Sequence, residues 1–522
     1  MLTWIRGGGS DHPLDTKDAK RGLQDDLARM PPVVALDQLA SYLDDVKTSH
    51  SLRPKQALEI VELLDRAGST LQRNLTREYV LRRDGLTKFH ENRLWTGVSA
   101  YCRQLAEGYR FCLAQYQVGA AGASAIKPHL HRITCRALRA CAAQLKWMLL
   151  RYGPVEQRLW QELGSLYRLS ESLQFAQTSS PIYPHSESSP ERELLRAAML
   201  AVSSPDALSP LQIEIAEHII AHVAEKFRMS ARPSAGICYV FDLSGEQGPG
   251  RFSTSRKLTS DTRCFGPTDI ATEIEQSIQF IDQNRALPRS LALGEDFDVS
   301  SVHATLRHLL RYWSPALPER REQRRRHVER VRVVHQFDEV AAAVGGLFIE
   351  SPFLSNDEEW IIENRSQAGF GACVQSPDGA WLKTGTLIAI RRDEGASWSA
   401  GIVRRVSVDE KGNHYVGIEM LAQGGTAVTI LEASSSARGG AIPARGEICV
   451  LLPSFTVDTG EALLLMRAGL FSHSQRLLMC AYDRQYLLSA LDLVEQGTEF
   501  DLGRYRIIEQ LEQSSELLAR AG

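Results

Sequence analysis

The sequence predicts an α+β protein of several domains: an all-α N-terminal helical array or bundle, a small mixed connecting domain, and a C-terminal antiparallel β-barrel with a further β region. Three observations support this class. The chain has 522 residues, which is more than one ordinary core accommodates. Apolar residues recur at three- and four-residue spacing up to about residue 228, which is typical of helices that bury one face. Short β-branched runs bounded by turn residues follow further along the chain.

The composition indicates a globular protein, with 43% hydrophobic and 24% charged residues. A formal net charge of −3 excludes a general attraction to polyanions, so any such affinity must be local. The nine cysteines occur without a C-x-x-C pair, which is typical of a reducing compartment. No apolar run approaches the roughly 18 residues that span a bilayer. We therefore expect a cytoplasmic protein without a membrane span.

The helical region is predicted to cover residues 32–228, after a mobile tail over residues 1–31 that is rich in glycine and charge. Runs such as QALEIVELLDRAGSTLQRNL and ALRACAAQLKWMLLRYG carry its amphipathic pattern. A Pro/Ser-rich loop interrupts it at residues 178–192. One helix has residues typical of a tetratricopeptide repeat, but no copy lies 34 residues away, so an isolated helix hairpin is favoured over a solenoid.

Mixed and β-rich segments follow. Residues 231–315 predict the connecting domain, with one strand in GICYVFDLSG and two helices after it. Residues 318–422 contain successive strand-like runs that predict a closed barrel. Residues 440–522 predict a further β region, which is either a second small barrel or an elaboration of the first.

The most informative motif lies in the run WIIENRSQAGFG, which starts at Trp360. It places Asn364, Ser366 and Gly369 in the pattern N-x-S-x-x-G directly after a strand-like stretch. An arginine run precedes it and contains Arg326 and Arg330 as an R-x-x-x-R pair, with Arg325 as an additional arginine.

These residue types suit a ligand with guanine bases and phosphates. The planar guanidinium meets the O6 and N7 acceptors of guanine with two parallel hydrogen bonds, and it also pairs with phosphate. Two arginines four residues apart project to the same side of a strand or helix, so both could reach one ligand. A short Asn or Ser side chain in a turn bonds to a base edge or to backbone. We expect Gly369 to supply either a positive φ or a close approach of the ligand.

The two motifs and the strands after them resemble the PilZ domain, a bacterial β-barrel family that binds cyclic di-GMP. The family's later strand signatures match Gly385, Gly401 with Val403, and Val416 with Gly417. The resemblance covers residues 318–422. It implies a cyclic di-GMP receptor rather than an enzyme, with Arg325, Arg326, Arg330, Asn364, Ser366 and Gly369 as the ligand-binding residues.

The arginine run allows more than one register of the R-x-x-x-R motif. Arg320 with Arg324, and Arg321 with Arg325, also fit R-x-x-x-R. We favour the later pair because the strand-like VRVV follows it at once. The segment between the two motifs is long for the family and ends in acidic residues, which could lie near the site.

The resemblance also implies an unidentified protein partner, contacted through the helical region, in motility, pilus function or surface attachment. Two other classes of function remain as alternatives: a helical scaffold or chaperone-like protein whose barrel has lost its ligand, and a nucleic-acid-binding regulator that uses the arginine run. The run lacks aromatic residues for base stacking, which counts against the second alternative.

Other motifs are weak. An EAL tripeptide at residues 461–463 matches the name of a phosphodiesterase family, but only about sixty residues follow it. The loop GEQGPGR at residues 245–251 has Arg where a P-loop requires Lys. His129, His131 and Cys135 could suggest a metal site, but the two histidines are two residues apart and do not share a helix face, and the sequence offers no second ligand pair nearby. We therefore expect no metal and no cofactor.

Overall fold

The computed structural model describes residues 12–49, 51–81, 85–234, 238–253, 258–268, 270–294, 296–314, 325–347, 357–366, 368–375, 381–392, 397–432, 446–453, 460–481 and 484–511. The chain divides into two compact units, Met1–Glu319 and Arg320–Gly522. The first unit is mainly helical and the second contains two antiparallel barrels. The predicted α+β multidomain class is therefore confirmed.

The helices of the first unit bury their apolar faces in one shared core. Side-chain caps define several helix starts, including a reciprocal capping box between Ser209 and Gln212. The helices are α1 (Lys17–Ala28), α2 (Pro32–Thr48), α3 (Pro54–Leu81), α4 (Lys88–Gln117), α5 (Leu130–Leu149), α6 (Gln157–Ser172), α7 (Pro190–Val202), α8 (Pro210–His222), α9 (Ile270–Asn284) and α10 (Val299–Trp313). No helix among the described residues is both long enough and apolar enough to cross a membrane.

The predicted tail over residues 1–31 differs from the structure in its second half. Helix α1 begins after Thr16, whose side chain accepts a hydrogen bond from the backbone N–H of Ala19. Leu23 and Leu27 are buried and anchor the helix to the core of the unit. The charge-rich composition concealed this amphipathic pattern, because only one face of α1 is apolar. Residues 1–11 lie outside the described part of the chain.

A four-stranded antiparallel sheet also belongs to the first unit. Its strands are β3 (Phe227–Ser230), β4 (Tyr239–Asp242), β5 (Gly250–Arg251) and β6 (Thr262–Pro267), in the order β3-β6-β4-β5. Because β3 pairs with β6, the boundary predicted between residues 228 and 231 divides this sheet. Residues of α9 and α10 pack in the same core as the N-terminal helices, so the structure places the predicted connecting domain within the helical unit. The remaining boundaries stay predictions.

A short hairpin replaces the loop predicted at residues 178–192. It consists of β1 (Ser180–Tyr183) and β2 (Ser186–Ser188). A buried polar network fixes it to the helices, since the hydroxyls of Tyr183 and Tyr109 donate to the carboxylate of Asp65 at 2.8 and 2.5 Å. Arg136 donates to the carbonyl of Ile182 through Nε at 2.8 Å. Burial raises the pKa of Asp65, and the two tyrosines and Arg136 oppose that shift.

The first barrel of the second unit closes in the order β10-β11-β12-β9-β8-β7. Residues alternate between its interior and its outer surface, as a pleated sheet requires. Its strands are β7 (Arg325–His335), β8 (Glu358–Arg365), β9 (Gly369–Gln375), β10 (Leu387–Arg391), β11 (Ser399–Val408) and β12 (Asn413–Gln423).

The further β region forms a second closed barrel, in the order β13-β14-β15-β18-β17-β16. Its strands are β13 (Thr426–Glu432), β14 (Glu447–Leu452), β15 (Glu461–Arg467), β16 (Arg476–Ala481), β17 (Arg484–Gln496) and β18 (Phe500–Leu511). Helix α11 (Phe337–Val344) follows β7, and its buried residues share one apolar cluster with both barrels. The two barrels therefore pack through a common core within this unit.

Candidate functional site

The two sequence motifs lie side by side in the first barrel. Strands β7 and β8 pair antiparallel, with Arg326 opposite Asn364 and Arg325 opposite Arg365. The motifs are separated by almost forty residues of sequence, and helix α11 lies between them. The fold therefore brings Arg325 and Arg326 to the N-x-S-x-x-G segment.

A row of paired residues crosses the outer surface of the barrel from Arg326. Asn364 pairs with Gly371, Gly371 with Gly417, and Gly417 with Arg405. Directly paired residues of neighbouring strands point to the same face. Gly371 and Gly417, in the middle of the row, carry no side chain; Gly371 is buried and Gly417 is half-buried.

Asn364 depends on one of these glycines. A Cβ on Gly371 would lie 2.6 Å from both Nδ2 and Oδ1 of Asn364, so only glycine leaves room for the amide in this position. The Oδ1 atom of Asn364 is buried and accepts no hydrogen bond within the described part of the chain. A buried acceptor without a donor costs about 1 to 3 kcal/mol, which a ligand N–H could recover.

Ser366 and Gly369 close the turn between β8 and β9. The backbone N–H of Ser366 donates to the Gly369 carbonyl at 2.8 Å, and its hydroxyl donates to the same oxygen at 3.3 Å. Gly369 is a strand residue without a positive φ, so the predicted turn geometry is wrong. The glycine is required for another reason: a Cβ there would lie 2.0 Å from the carbonyl oxygen of Ile418 on β12.

Arg330 lies further along β7 and is paired with an acid. Its Nη1 is 3.0 Å from Oε1 of Glu359, with the two side chains 78% and 57% exposed. The neighbouring Arg332 contacts Asp357 at 3.2 Å. Burial raises the pKa of Asp357, and the charges of Arg332 and Arg391 oppose that shift. The acidic end of the inserted segment therefore does lie beside the arginine run.

Arg325 and Arg326 differ from Arg330 in their surroundings. Both side chains are exposed, and neither has a carboxylate partner among the described residues. Arg320, Arg321 and Arg324, which belong to the two alternative registers of the motif, lie outside the described residues.

Sequence reasoning missed a second group of residues at the rim of the barrel. The guanidinium of Arg365 lies over the ring of Phe370 at 5.6 Å from its centroid, and that of Arg392 lies over the same ring at 5.0 Å. Arg365 stands inside the N-x-S-x-x-G motif as its first variable residue, so its position was a usable signal. Arg392 ends the run LIAIRR, and nothing in the sequence links it to the motif.

Residues considered for a metal site have other partners. The carboxylates of Glu214 and Glu217 lie near His218, but Lys146 contacts Glu214 at 2.8 Å and Arg196 contacts Glu217 at 2.7 Å. These ion pairs account for the group as a structural cluster. His131 is hydrogen-bonded to the hydroxyl of Ser180 at 2.5 Å.

The arrangement in the first barrel brings cationic donors and a buried acceptor to one place. Guanidinium pairs with phosphate and with the acceptor edge of guanine, so these residue types suit a ligand that carries both groups. It has no nucleophile beside a general base among the residues that form it.

Comparison with family models identifies both units. One model describes the N-terminal domain of the cyclic-di-GMP receptor FimW and matches residues 18–234. Another describes the middle PilZ domain of the cyclic-di-GMP receptor FimW and matches residues 357–426, which include the N-x-S-x-x-G motif. No curated protein and no solved structure matched the chain. The chain belongs to the PilZ-domain family of cyclic di-GMP receptors, as a multidomain member with an N-terminal helical region.

Proposed function

We propose that this protein is a cytoplasmic receptor, without enzymatic activity, that binds cyclic di-GMP at the outer surface of the first barrel. The proposed ligand-binding residues are Arg325, Arg326, Arg330, Asn364, Ser366 and Gly369. The observation that carries the proposal is the pairing of Arg326 with Asn364, which joins the two motifs in one place.

Arg326 and Asn364 offer complementary groups to one guanine. The Oδ1 of Asn364, which accepts no hydrogen bond within the described part of the chain, can accept from an N–H of the base, while Arg326 donates to the O6 and N7 edge or to a phosphate. Gly371 leaves room for the Asn364 amide, because a Cβ there would lie 2.6 Å from it. Ser366 and Gly369 contribute by holding the turn through the hydrogen bonds that the Gly369 carbonyl accepts.

Arg330 must exchange partners if it contacts the ligand. Its ion pair with Glu359 is exposed, and such pairs contribute only about 0 to 1 kcal/mol. A charge-assisted hydrogen bond to a phosphate is stronger, so ligand binding can release Glu359 at little cost. The exposed pair therefore serves as a weak internal competitor for the same arginine.

A chain of contacts leads from the turn to the second barrel. The backbone N–H of Met420 on β12 donates to the carbonyl of Ala368 at 2.9 Å. Glu419, next to it, accepts from Arg404 at 2.6 Å, and Arg404 also donates to both carboxylate oxygens of Glu495 on β17. We place the response to the ligand on this route, because it joins the turn to a charged contact between the barrels.

The proposed output is a protein partner contacted through the helical unit, in motility, pilus function or surface attachment. The ligand can change the affinity for that partner only by as much as it binds one conformation better than the other. Such coupling typically amounts to about 1 to 3 kcal/mol, which changes a partner affinity by fivefold or more.

Calorimetric titration of the full-length protein with cyclic di-GMP tests the proposal. We expect saturable binding, and GMP should bind far more weakly because it offers one base and one phosphate. Heat of binding with single-stranded oligonucleotides but not with cyclic di-GMP, falling steeply with salt, would support the nucleic-acid alternative instead. No binding of either ligand would support the scaffold alternative.

A further inference from the structure

The arginines at the barrel rim lie on a different face from Arg326. A second row of paired residues crosses four strands one position away: Arg325 pairs with Arg365, Arg365 with Phe370, and Phe370 with Ile418. Phe370 and Ile418 are only 3% and 4% exposed, so this row faces the barrel interior. Arg325 and Arg365 therefore stand at the open end of the interior.

Arg392 reaches the same place from the opposite side of the barrel. It follows β10, and its guanidinium lies over the Phe370 ring, as that of Arg365 does. Both side chains are half-buried. Attraction to the ring face holds each guanidinium over Phe370 and covers the end of the apolar interior.

This placement puts two guanidiniums at the ring of Phe370. Among the residues that the structure describes, no carboxylate pairs with Arg365 or Arg392, and Arg325 adds a third guanidinium opposite Arg365. Like charges at short range repel, more strongly where burial lowers the effective dielectric constant. By contrast, two half-buried arginines of the helical unit, Arg139 and Arg263, each have a bidentate carboxylate partner.

From these observations we infer that Arg365 and Arg392 form a phosphate-binding pair at the rim of the first barrel, which holds a phosphate of cyclic di-GMP that extends beyond Arg326 and Asn364. This inference rests on the proposed function. If one base and its phosphate lie against Arg326 and Asn364 on the outer surface, the second phosphate of the cyclic ligand must lie beyond these two residues. The rim follows directly, because Asn364 and Arg365 are consecutive residues that face opposite sides of β8.

The phosphate would neutralise the guanidinium pair. Guanidinium binds phosphate through two parallel hydrogen bonds, and the Phe370 ring already holds both guanidiniums, at 5.6 and 5.0 Å from its centroid, so less side-chain freedom is lost when an anion binds. The pair would also favour a dinucleotide over a mononucleotide, since only a ligand with two phosphates reaches both the Arg326 position and the rim.

Calorimetric titration of the full-length protein with cyclic di-GMP provides the test, using Arg365→Gln and Arg392→Gln. Glutamine removes the charge but keeps a methylene stem and a polar amide near Phe370. We expect each variant to bind about tenfold more weakly or worse, with a smaller dependence of affinity on salt than the unmodified protein shows. Arg365→Lys should lie between, because it keeps the charge and loses the planar fork. Arg476→Gln, an exposed change on the second barrel, is the matched control and should bind normally.

The outcomes separate the inference from the proposed function. If Arg326→Ala abolishes binding while both glutamine variants bind like the unmodified protein, the rim pair does not contact the ligand and the inference is wrong. If the unmodified protein does not bind cyclic di-GMP at all, the proposed function fails and the inference falls with it. Should a glutamine variant unfold, the affinity and salt dependence of Arg365→Lys decide the question.

Discussion

Two glycines in β9 should respond to the same substitution in different ways, although they are only two residues apart. A Cβ on Gly369 would lie 2.0 Å from the Ile418 carbonyl oxygen, 3.0 Å from its carbonyl carbon and 3.3 Å from Cα of Glu419. These are backbone atoms of the paired strand β12, so β9 and β12 must separate to accept the methyl group. We expect Gly369→Ala to lower the free energy of unfolding by about 3 kcal/mol, at the upper end for overpacking.

Gly371→Ala meets a side chain rather than backbone. Its Cβ would lie 2.6 Å from the amide atoms of Asn364, which can rotate away. Stability should therefore change by less than about 1 kcal/mol, while the displaced amide should weaken binding of cyclic di-GMP by about 0.5 to 1.5 kcal/mol or more.

Urea unfolding and calorimetric titration of both variants measure the two effects. We expect Gly369→Ala to be the less stable protein. Gly371→Ala should lose affinity for cyclic di-GMP at nearly unchanged stability. Equal stability of the two variants would show that β9 and β12 are not in this close register. Normal affinity of Gly371→Ala would show that Asn364 is not a ligand residue.

Four further expectations concern other parts of the molecule. Arg326→Ala should weaken binding of cyclic di-GMP by about 1.5 to 3 kcal/mol in calorimetry and leave the unfolding midpoint unchanged, since the side chain is exposed. Asp65→Ala should lower the stability of the helical unit by about 3 kcal/mol in thermal unfolding, because the buried Arg136 loses the carboxylate beside it. The control Asp18→Ala removes an exposed carboxylate and should leave the stability unchanged. Burial lowers the pKa of His335, so just below pH 6.5 the unfolded chain binds more protons than the folded chain. The free energy of unfolding should therefore fall as the pH drops from 7 to 5. In His335→Phe, which keeps the stacking on Trp381, the free energy of unfolding should depend less on pH. The fragment 318–522 should bind cyclic di-GMP as tightly as the full-length protein, and failure of a folded fragment to bind would place the site elsewhere.

The sequence predicted the fold class because that class depends on local patterns. Amphipathic periodicity marked the helices, and alternation between turn residues marked the strands. The resemblance to the PilZ family assigned Arg326 and Asn364 to one site, and the structure pairs the two residues, while their role in ligand binding stays a prediction. The reason for Gly369 could not be predicted, since it depends on the distance to a strand about fifty residues away.

Other features were hidden for the same physical reason. The register of β8 against β9 shifts between Ile362 and Asn364, and this bulge decides which residues of the motif face the outer surface and which face the rim. No local pattern encodes such a shift. Likewise Arg392 joins the rim only through closure of the barrel, and β3 joins the sheet only through its pairing with β6.

Amide hydrogen exchange of the full-length protein, with and without saturating cyclic di-GMP, shows whether the ligand binds at the two motifs, because it locates the segments that the ligand protects. We expect slower exchange at the start of β7, from Arg325 to Arg330, and in the turn from Asn364 to Gly369, with a smaller change at the Arg404 contact with the second barrel. Protection confined to the helical unit, or no change at all under conditions that saturate a PilZ receptor, would contradict the assignment of the site to these two motifs.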